Sequence, residues 1–458
     1  MRVMMLSWEY PPRIVGGISP HVQDLSQELQ KQGIEVHVIT KCTPLAPDEQ
    51  TEESGVQIHR VHLDEEPNDF LHEIQLLNVA TEKRVRKLLE DWRPGGQPTV
   101  FHAHDWLSLD SARTLKYEYS LPLVATIHAT EEGRHGGIHG ETSKYIAEQE
   151  YWLTYEAWRV IVCSEFMKGE VVRSFNCPAD KVDIVYNGVE ASKFQFDWDE
   201  KDRAERRAQL ALPGEQIVMY VGRFVREKGI QVLLNAATVV LAQRPHTKFL
   251  IVGGGNREKL EKFVHWAGLD EKVLFTGFMA NRSLHQLYRV ADVAVFPSLY
   301  EPFGIVALEG MAADVPVVTS DAGGLKEVVL HDQTGTLTYV NDPQSLAWGI
   351  LRVLEDPVRA RRLADKAHER LKTDFEWSNL ATQTIAVYDR VWEEFLQSYW
   401  LDKTLWPVAP GAEERAKKLK VVDKAISGTV AQRPRPMIST SSHVKPKAFE
   451  DEEEERVP

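Results

Sequence analysis

The sequence has few cysteines and no long apolar run, and each absence excludes a class of protein. Its 458 residues include three cysteines, Cys42, Cys163 and Cys177, which form no C-x-x-C pair. Neither a disulfide framework nor a structural zinc site is therefore predicted. No segment approaches the ~18 consecutive apolar residues of a membrane-spanning helix. We expect a reduced, cytoplasmic protein without a membrane span.

Positive charge is also in deficit. Lysine and arginine number 54 against 68 aspartates and glutamates, which gives a formal net charge of −14. This balance argues against binding to nucleic acid or to acidic membranes. Residues 450–456 hold six acids and one base, so the rest of the chain is only mildly acidic.

The apolar run before Glu9 is too short for a signal peptide and predicts a buried first strand.

The length predicts more than one domain, because a single hydrophobic core stops growing at ~250–300 residues. Strand-like apolar runs alternate with helix-like amphipathic runs throughout the chain. The strands predicted in the first half are Met1–Trp8, Glu35–Thr40, Val56–Val61, Thr99–Trp106, Leu123–His128, Val160–Ser164 and Val182–Tyr186. Those predicted in the second half are Ile217–Gly222, Phe249–Val252, Val273–Phe278, Val293–Phe296 and Val315–Ser320. This alternation predicts an α/β fold with doubly wound parallel sheets that bind ligands at the carboxyl ends of their strands.

The domain boundaries are predicted from where this pattern restarts. We expect an N-terminal domain over residues 1–190 and a second domain over residues 191–377, with the charged segment Asp197–Arg207 as the link. An amphipathic helix over residues 378–400 is expected to pack back across the first domain. Residues 401–458 are rich in Pro, Ser, Lys and Glu and poor in apolar residues, so we predict a disordered tail that catalysis does not need.

A glycine pair follows the first predicted strand. Gly16 and Gly17 precede a helix-like run in which Val22, Leu25 and Leu29 recur at helical spacing. Two glycines let the backbone approach a ligand that a side chain would exclude, and phosphate is the usual ligand at such a place. The alternative is an ordinary connecting loop.

Histidines end two predicted strands of the first half. His102 and His104 are spaced for one face of a strand, but no cysteine or third histidine lies near them in sequence, so a metal site is disfavoured. Asp105 follows directly, either as an acceptor for a sugar hydroxyl or as the N-cap of the next helix. His128 lies at the same edge, and Ala129–Gly140 is predicted to be a mobile loop over a site.

Three cations follow the first strand of the second half. Arg223, Arg226 and Lys228 lie within six positions, between a strand and a helix. Such a loop matches a diphosphate, which arginine grips in a fork and lysine as a point charge. The alternative is a solvated charged loop.

Two carboxylates eight positions apart bracket a predicted turn. Glu301 follows a strand, Glu309 lies in the next helix, and the amides of Gly304, Ile305 and Val306 would be free at the start of that helix. Free amides and a positive helix end suit a phosphate or a polyhydroxyl ligand. The alternative places Glu301 near the N-cap and Glu309 on the solvent face.

These segments carry a family resemblance. Residues 1–400 resemble the retaining glycosyltransferases of family 4 and the related glycogen and starch synthases, which have the GT-B fold of two Rossmann-like domains facing across a cleft. The matching segments are Val15-Gly16-Gly17, His102-Ala103-His104-Asp105-Trp106, Thr126-Ile127-His128, Val221-Gly222-Arg223 with Lys228-Gly229, and the E-x7-E of Glu301 and Glu309.

The resemblance implies a nucleotide-sugar donor and a glycan acceptor, with neither a metal nor another cofactor. It implies that Arg223 and Lys228 bind the diphosphate, that Glu301 lies near the donor sugar and that His128 lies beside the reacting centre. It further implies that Glu309 holds the ribose. The residues expected to act in catalysis are His128, Arg223, Lys228 and Glu301. Those expected to bind the donor are Gly16, Gly17, Asp105, Phe303, Gly304, Ile305, Val306 and Glu309.

The motifs favour a glucan synthase without excluding other transferases. His102–Trp106 resembles the glucan synthases, and Arg134–Gly140 resembles bacterial glycogen-synthase-like enzymes. No lysine stands two positions before Gly16, however, and Gly310–Ala313 follows the general pattern of family 4. We expect transfer of glucose from ADP-glucose or UDP-glucose to an α-glucan or a small glucosyl acceptor. The alternatives are mannosyl, sucrose-type or cell-envelope transfer, an epimerase or phosphorylase of the same architecture, and a non-catalytic sugar-binding protein.

Overall fold

The structure is a computed structural model that describes residues 1–92, 97–279 and 281–401. The tail predicted for residues 401–458 lies outside the described residues from residue 402 onward. The described chain forms two α/β units, each built on its own parallel sheet. The predicted fold class is therefore confirmed.

The sheet of the first unit has eight strands in the described chain. These are β1 (Arg2–Leu6), β2 (Glu35–Lys41), β3 (Glu49–Thr51), β4 (Gln57–Val61), β5 (Thr99–His104), β6 (Leu123–Ile127), β7 (Arg159–Val162) and β8 (Val182–Ile184). Their order is β3-β4-β2-β1-β5-β6-β7-β8, and only the β3–β4 pair is antiparallel. Strands β5 and β6 are buried along their whole length; β6 is a nearly continuous apolar run, whereas β5 also buries His102 and His104.

The sheet of the second unit has six parallel strands in the described chain. These are β9 (Gln216–Val221), β10 (Thr247–Val252), β11 (Val273–Gly277), β12 (Val293–Phe296), β13 (Val317–Ser320) and β14 (Thr336–Thr338). Their order is β11-β10-β9-β12-β13-β14. The order reverses at β9 and β12, so the loops after these two strands open a crevice at the carboxyl edge.

Helices cover both sheets. In the first unit they are α1 (Ile18–Lys31), α2 (Phe70–Trp92), α3 (Leu109–Tyr119), α4 (Glu131–His135), α5 (Gly140–Glu156) and α6 (Glu165–Phe175). The remaining α-helices are α7 (Glu200–Ala208), α8 (Ile230–Gln243), α9 (Glu258–Trp266), α10 (Asn281–Val290), α11 (Ile305–Ala312), α12 (Leu325–Val328), α13 (Pro343–Glu355), α14 (Pro357–Asp374) and α15 (Trp377–Gln397). Short 3-10 helices lie at Trp106–Ser108, Ala179–Lys181, Ala191–Phe194 and Arg226–Lys228. Among the described residues, none of these helices is long and apolar enough to cross a bilayer.

Helix α15 returns to the first unit and packs on α1. Its Leu380, Val387 and Val391 are buried in the same cluster as Val3 and Val22 of the first unit. Burying side chains of this size stabilises the packing by about 1.5–3 kcal/mol each. The last helix therefore belongs to the core of the first unit, although it follows the second unit in sequence.

Three local predictions differ from the structure. Strand β3 was not predicted, because Glu49–Thr51 is polar and lies at the sheet edge. The segment Ala129–Gly140, predicted as a mobile loop, contains α4, whose N-cap Thr130 accepts a hydrogen bond from Gly133 N. The segment Asp197–Arg207, predicted as a linker, contains most of α7, which starts with a capping box at Asp199. In the last two cases a polar cap starts a helix that composition alone would leave as a loop.

Candidate active site

The carboxyl edges of the two sheets face each other across a cleft. A Cβ atom on Gly17, in the loop after β1, would lie 3.4 Å from Ile305 Cδ1 at the start of α11. Ser164 Oγ, after β7, donates a hydrogen bond to Pro302 O at 2.6 Å. Both loops follow the carboxyl ends of strands. The predicted site residues of the two units therefore meet at the edges where doubly wound sheets bind ligands.

A buried carboxylate holds the glycine loop. Glu9 is 1% exposed and accepts hydrogen bonds from Val15 N at 2.5 Å and from Gly16 N at 3.0 Å. Burial raises the pKa of Glu9, and the two amides oppose that rise. Because the Gly16 N–H is already bonded, a phosphate can use it only if Glu9 releases it. Gly17 precedes α1 directly and, without a side chain, leaves space at the cleft.

His128 lies at the end of β6 with its ring inside the cleft wall. Its Nε2 is 3.1 Å from His104 Nδ1, and the ring centroid of His21 is 4.7 Å away. Burial, together with the smaller effect of the nearby Arg134 charge, lowers the pKa of His128 to about 3. The imidazole is therefore neutral at pH 7 and can exchange hydrogen bonds with a hydroxyl without carrying charge.

Asp105 connects the two histidine-bearing strands. It is 2% exposed, has φ 60°, and accepts a hydrogen bond from His128 N at 2.7 Å. Arg134 Nη2 lies 3.6 Å from its other oxygen. Burial raises the pKa of Asp105 to about 6, and Arg134 opposes the rise. Asp105 stands at the N-cap position of the following 3-10 helix, as the alternative predicted, but its side chain bonds no amide of that helix.

His102 has a structural environment. Its Nδ1 lies 2.7 Å from Tyr388 Oη of α15, and its Nε2 lies 2.7 Å from Thr126 Oγ1. Both ring nitrogens are thus bonded within the core, and His102 ties α15 to the first sheet. His104, two residues on, has no such partner for its Nε2 in the described part of the chain.

Cations and a carboxylate lie opposite, on the second unit. Lys228 Nζ is 2.7 Å from Glu301 Oε2, which also accepts a hydrogen bond from Ser298 Oγ at 3.1 Å. The Arg223 side chain is 51% exposed and pairs with Glu227 at 3.3 Å. A Cβ atom on Gly229 would overlap Pro297 O, so glycine lets the cationic loop lie against the end of β12. Both predicted cations are therefore at the cleft edge, and Lys228 already has an anionic partner.

Helix α11 presents open amides beside these cations. The N–H groups of Gly304, Ile305 and Val306 make no hydrogen bond with any described residue. Gly304 has φ 113° and lets the chain turn into the helix. Phe303 is 2% exposed and packs on Tyr186, so only its backbone can face a ligand. The three amides that the sequence indicated are thus open at the start of α11, and anion binding there stays a prediction.

Glu309 lies one turn further along α11. It accepts a hydrogen bond from the buried Tyr288 Oη at 2.9 Å. Burial raises the pKa of Glu309 to about 7, and the Tyr288 bond opposes the rise. The carboxylate is only partly exposed, so it does not lie on a solvent face.

Hydrogen bonds join the two units beside the cleft. Tyr300 Oη donates to Glu170 at 2.7 Å, and the same carboxylate accepts from Thr130 Oγ1 at 2.5 Å. The Glu327 carboxylate of the second unit accepts from the N–H groups of Glu165 and Phe166 at 2.9 Å each, at the start of α6. These bonds hold the two units in register.

Glycine at position 133 allows the two units to approach closely. A Cβ atom on Gly133 of α4 would overlap the ring of Tyr300 in the second unit. The backbone of Gly133 is ordinary helix, so glycine is needed here for space alone.

Several site residues were not predicted from the sequence. Glu9, His21, Arg134 and Tyr300 all lie at the cleft, and only the proximity of each to a predicted motif could have indicated them. His21 follows the glycine pair by four positions, which places it on the first turn of α1. Distance in sequence hid its contact with His128, which lies over a hundred residues later.

Comparison with known proteins agrees with this architecture. The description "Glycosyltransferase Family 4" matches residues 15–193, and "Glycosyl transferases group 1" matches residues 202–370. An uncharacterised glycosyltransferase of Methanocaldococcus jannaschii is 39% identical over 391 residues, which cover 85% of this chain and 98% of that protein.

Two further proteins place the chain more closely. The glycogen synthase of Mycobacterium tuberculosis is 36% identical over 409 residues, covering 85% of this chain and 94% of that protein. Among solved structures, a sucrose-phosphate synthase from Thermosynechococcus elongatus superposes with a TM-score of 0.73 at 26% identity, covering 86% of this chain and 99% of that one. The chain therefore belongs to the family 4 glycosyltransferases of the GT-B fold and is similar to their glycogen and starch synthases.

Proposed function

We propose that the protein transfers glucose from ADP-glucose or UDP-glucose to an α-glucan or a small glucosyl acceptor, with retention of configuration. The observation that carries this proposal is the pairing of two unlike surfaces across one cleft. Neutral His128 and the buried Asp105 face the cleft from the first unit, while Arg223, Lys228 and the α11 amides face it from the second. The likeness to a glycogen synthase supports the choice of glucose.

In the proposed reaction the second unit stabilises the leaving diphosphate. Arg223 and Lys228 supply positive charge, and the amides of Gly304–Val306 supply hydrogen bonds that require no reorganisation. Lys228 is held by Glu301 at 2.7 Å, so both side chains are positioned before the donor arrives. Departure of the diphosphate builds negative charge at the place where these groups already point.

The first unit orients the sugar. His128 is uncharged, so it exchanges hydrogen bonds with donor hydroxyls instead of protonating the leaving group. Asp105 fixes the backbone at His128 through the bond to its N–H. Glu301 reaches the sugar from the opposite side, and Glu309 holds the ribose. Holding the donor and the acceptor in one geometry supplies much of the rate.

The proposed step needs neither a covalent intermediate nor a metal. The acceptor hydroxyl attacks the anomeric carbon from the face that the diphosphate leaves. The C–O bond to the phosphate breaks, the new glycosidic bond forms, and a phosphate oxygen takes the acceptor's proton. We assign the enzyme to the cytoplasm, where sugar nucleotides and reduced cysteines are found together.

The test is a transfer assay over a matrix of donors and acceptors. Purified protein is incubated with ADP-glucose, UDP-glucose and GDP-mannose, each with glycogen, maltooligosaccharides or no acceptor, in the presence of EDTA. We expect glucose transfer to α-glucan acceptors and an α-linked product by NMR. A β-linked product would refute retention, and transfer of mannose alone would refute the glucan assignment.

The arm without acceptor separates the other classes of protein. An epimerase would change the donor sugar without releasing nucleotide, and a phosphorylase would need inorganic phosphate. A non-catalytic binding protein would shift its melting temperature with donor but release no nucleotide in any arm. Acceptor-dependent release of ADP or UDP is the result expected here.

A further inference from the structure

Three histidines from three separate elements meet in the wall of the cleft. His21 lies on α1, His104 ends β5, and His128 follows β6. One ring nitrogen from each lies within 4.8 Å of the corresponding atoms of the other two. We call these three residues the histidine cluster. No sequence pattern predicts this cluster, because its members lie far apart in the chain.

The nitrogens of the cluster are poorly satisfied. Among the described residues, neither ring nitrogen of His21 nor the Nε2 of His104 has a hydrogen-bond partner in normal geometry, although the Asn187 side chain lies close enough to His21 to raise its pKa against the effect of burial. The two residues are 6% and 0% exposed, respectively. Buried polar atoms are nearly always bonded, so unbonded nitrogens on two adjacent rings call for a ligand.

Other buried histidines of the same sheet do not share this feature. His102, next to the cluster, has both ring nitrogens bonded. His37 Nδ1 and His59 Nε2 share a hydrogen bond at 3.0 Å, and the other ring nitrogen of each lies within 3.0 Å of a glutamate, Glu35 and Glu49 respectively. Unpartnered ring nitrogens are therefore a feature of the cluster that His37, His59 and His102 do not share.

The cluster has the dimensions of a transition-metal site. His104 Nδ1 and His128 Nε2 share a hydrogen bond at 3.1 Å, which an ion bound between the two nitrogens would replace. Two nitrogens bound to one tetrahedral Zn²⁺ at ~2.0–2.1 Å lie about 3.3 Å from each other. The first pair thus needs only a small adjustment, and His21 needs a ring movement of about 1.5 Å to close the third edge. Imidazole is a good ligand for Zn²⁺, Cu²⁺, Ni²⁺ and Fe²⁺.

We propose that His21, His104 and His128 form a three-histidine site for a divalent transition metal such as Zn²⁺, and that the bound ion inhibits the enzyme by occupying His128. Three protein ligands leave the fourth position of the ion open to water. The Asp105 carboxylate accepts a hydrogen bond from the backbone N–H of His128 and so helps to fix the position of this ligand. Metal binding stands on the cluster alone, whereas the inhibitory effect rests on the proposed function.

Metal binding is measured without reference to activity. Metal-free protein is titrated with Zn²⁺ by calorimetry and with Co²⁺ by visible absorption, where a tetrahedral site gives intense d–d bands. We expect about one ion per chain and loss of the Co²⁺ bands on addition of Zn²⁺. The His21→Asn and His21→Phe variants should weaken binding at least ~10-fold. His59→Gln, in the other histidine pair, should bind as the wild type does.

A second measurement needs no variant. X-ray absorption at the zinc edge of the loaded wild-type protein should show three imidazole nitrogens at ~2.0–2.1 Å and no sulfur neighbour. The proposal is overturned if neither metal binds saturably, if His21→Asn keeps wild-type affinity, or if the absorption spectrum contains sulfur or oxygen ligands only.

Inhibition is tested separately. In the transfer assay without EDTA, Zn²⁺ should lower turnover in step with occupancy, excess EDTA should restore it, and a higher donor concentration should raise the Zn²⁺ needed. If no glycosyl transfer is found under any condition, the proposed function fails while the binding measurements still decide the metal site. If transfer occurs and Zn²⁺ binds without changing it, the inhibitory part is wrong.

Discussion

The two edges of the cleft differ in their burial and in their charge. The histidine edge, formed by His21, His104, Asp105 and His128, lies deep in the first unit, where His104 is 0% and Asp105 is 2% exposed. The cationic edge, formed by Arg223, Lys228, Glu301 and the α11 amides, lies on the second unit, where the Arg223 side chain is 51% exposed. Burial keeps the three imidazoles of the first edge uncharged, whereas the second edge carries the positive charge of Arg223 and Lys228.

The difference indicates a division of labour. A neutral imidazole can select hydroxyl positions by the direction of its hydrogen bonds, and it does not repel or attract charge elsewhere. The two cations meet a diphosphate that arrives charged and leaves charged. Until it binds, Arg223 is solvated, whereas Lys228, whose side chain is 24% exposed, is paired with Glu301. The sugar and the nucleotide are therefore expected to be read by different units, and the following variants test this expectation.

The largest effect should follow from removing one residue of each edge at the sugar. His128→Ala and Glu301→Ala should each abolish detectable transfer, a loss of at least ~10³-fold in kcat, because each removes positioning that acts in the transition state. Donor affinity, followed by calorimetry with ADP-glucose and UDP-glucose, should fall much less. Glu258→Ala, an exposed carboxylate of the second unit, is the matched control and should keep wild-type turnover.

The comparison would break if either variant transferred glucose at more than about a tenth of the wild-type rate while remaining folded by circular dichroism. The sugar would then be read by other residues.

A smaller loss should follow from removing the cations. Arg223→Ala and Lys228→Ala should each lower kcat/KM by ~10²-fold, since each deletes a charge-assisted contact to the developing diphosphate. Melting temperature should barely change for Arg223→Ala, because its ion pair is exposed. Arg226→Ala, the third cation of the same loop, should stay within ~3-fold of wild type. Equal losses at all three positions would indicate a general field and not two specific contacts.

A pH effect on stability should appear behind the histidine edge. Glu150 of α5 is 1% exposed, and burial raises its pKa from 4.5 to about 8. A folded state that holds this proton more tightly than the unfolded state is favoured below pH ~4.5, and the benefit is lost as pH rises to about 8. Glu150→Gln should therefore gain about 3–4 kcal/mol of unfolding free energy over wild type between pH 5 and pH 8.

Urea unfolding at pH 5, 6.5 and 8 measures this difference. Glu141→Gln, on the exposed side of the same helix, is the control and should show the same pH dependence as wild type. Parallel curves for wild type and Glu150→Gln would show that Glu150 titrates normally.

The smallest effect is expected far from both edges. Removing residues 407–458 should leave transfer within about two-fold, because this composition cannot bury a core. Removing residues 378–458 is the contrasting truncation and should prevent folding, since it deletes α15 and its packing on α1. A ten-fold loss from the shorter truncation would contradict the expectation.

Much of the fold could be predicted because parallel strands are buried on both faces. Apolar runs such as Val293–Phe296 are continuous and bounded by polar loops, so the pattern located β12 to the residue. Polar strand β3 carries no such pattern, since it pairs only at the sheet edge. Helices α4 and α7 were not predicted for a similar reason. They begin at polar N-cap residues, and neither has an apolar face long enough to be recognised in the sequence.

The site could be predicted only in part. Motifs that combine a loop with a strand end, such as Arg223–Lys228 and Glu301–Glu309, indicated the correct edge. Contacts between distant segments could not be found in this way. His21 and Glu9 acquire their roles from the folded register, which brings α1 against β5 and β6, and no local spacing encodes that register.

Gly133 carries a consequence for handling the molecule in the laboratory. The space beside the Tyr300 ring is too small for even one methyl group. Because the residue lies in regular helix, alanine there would favour the helix by about 0.5–1 kcal/mol and would not strain the backbone. Gly133→Ala would therefore place a methyl group against the Tyr300 ring and hold the two units slightly further apart, while every charge and catalytic side chain stayed unchanged. This one substitution would give a form of the enzyme whose cleft cannot close fully.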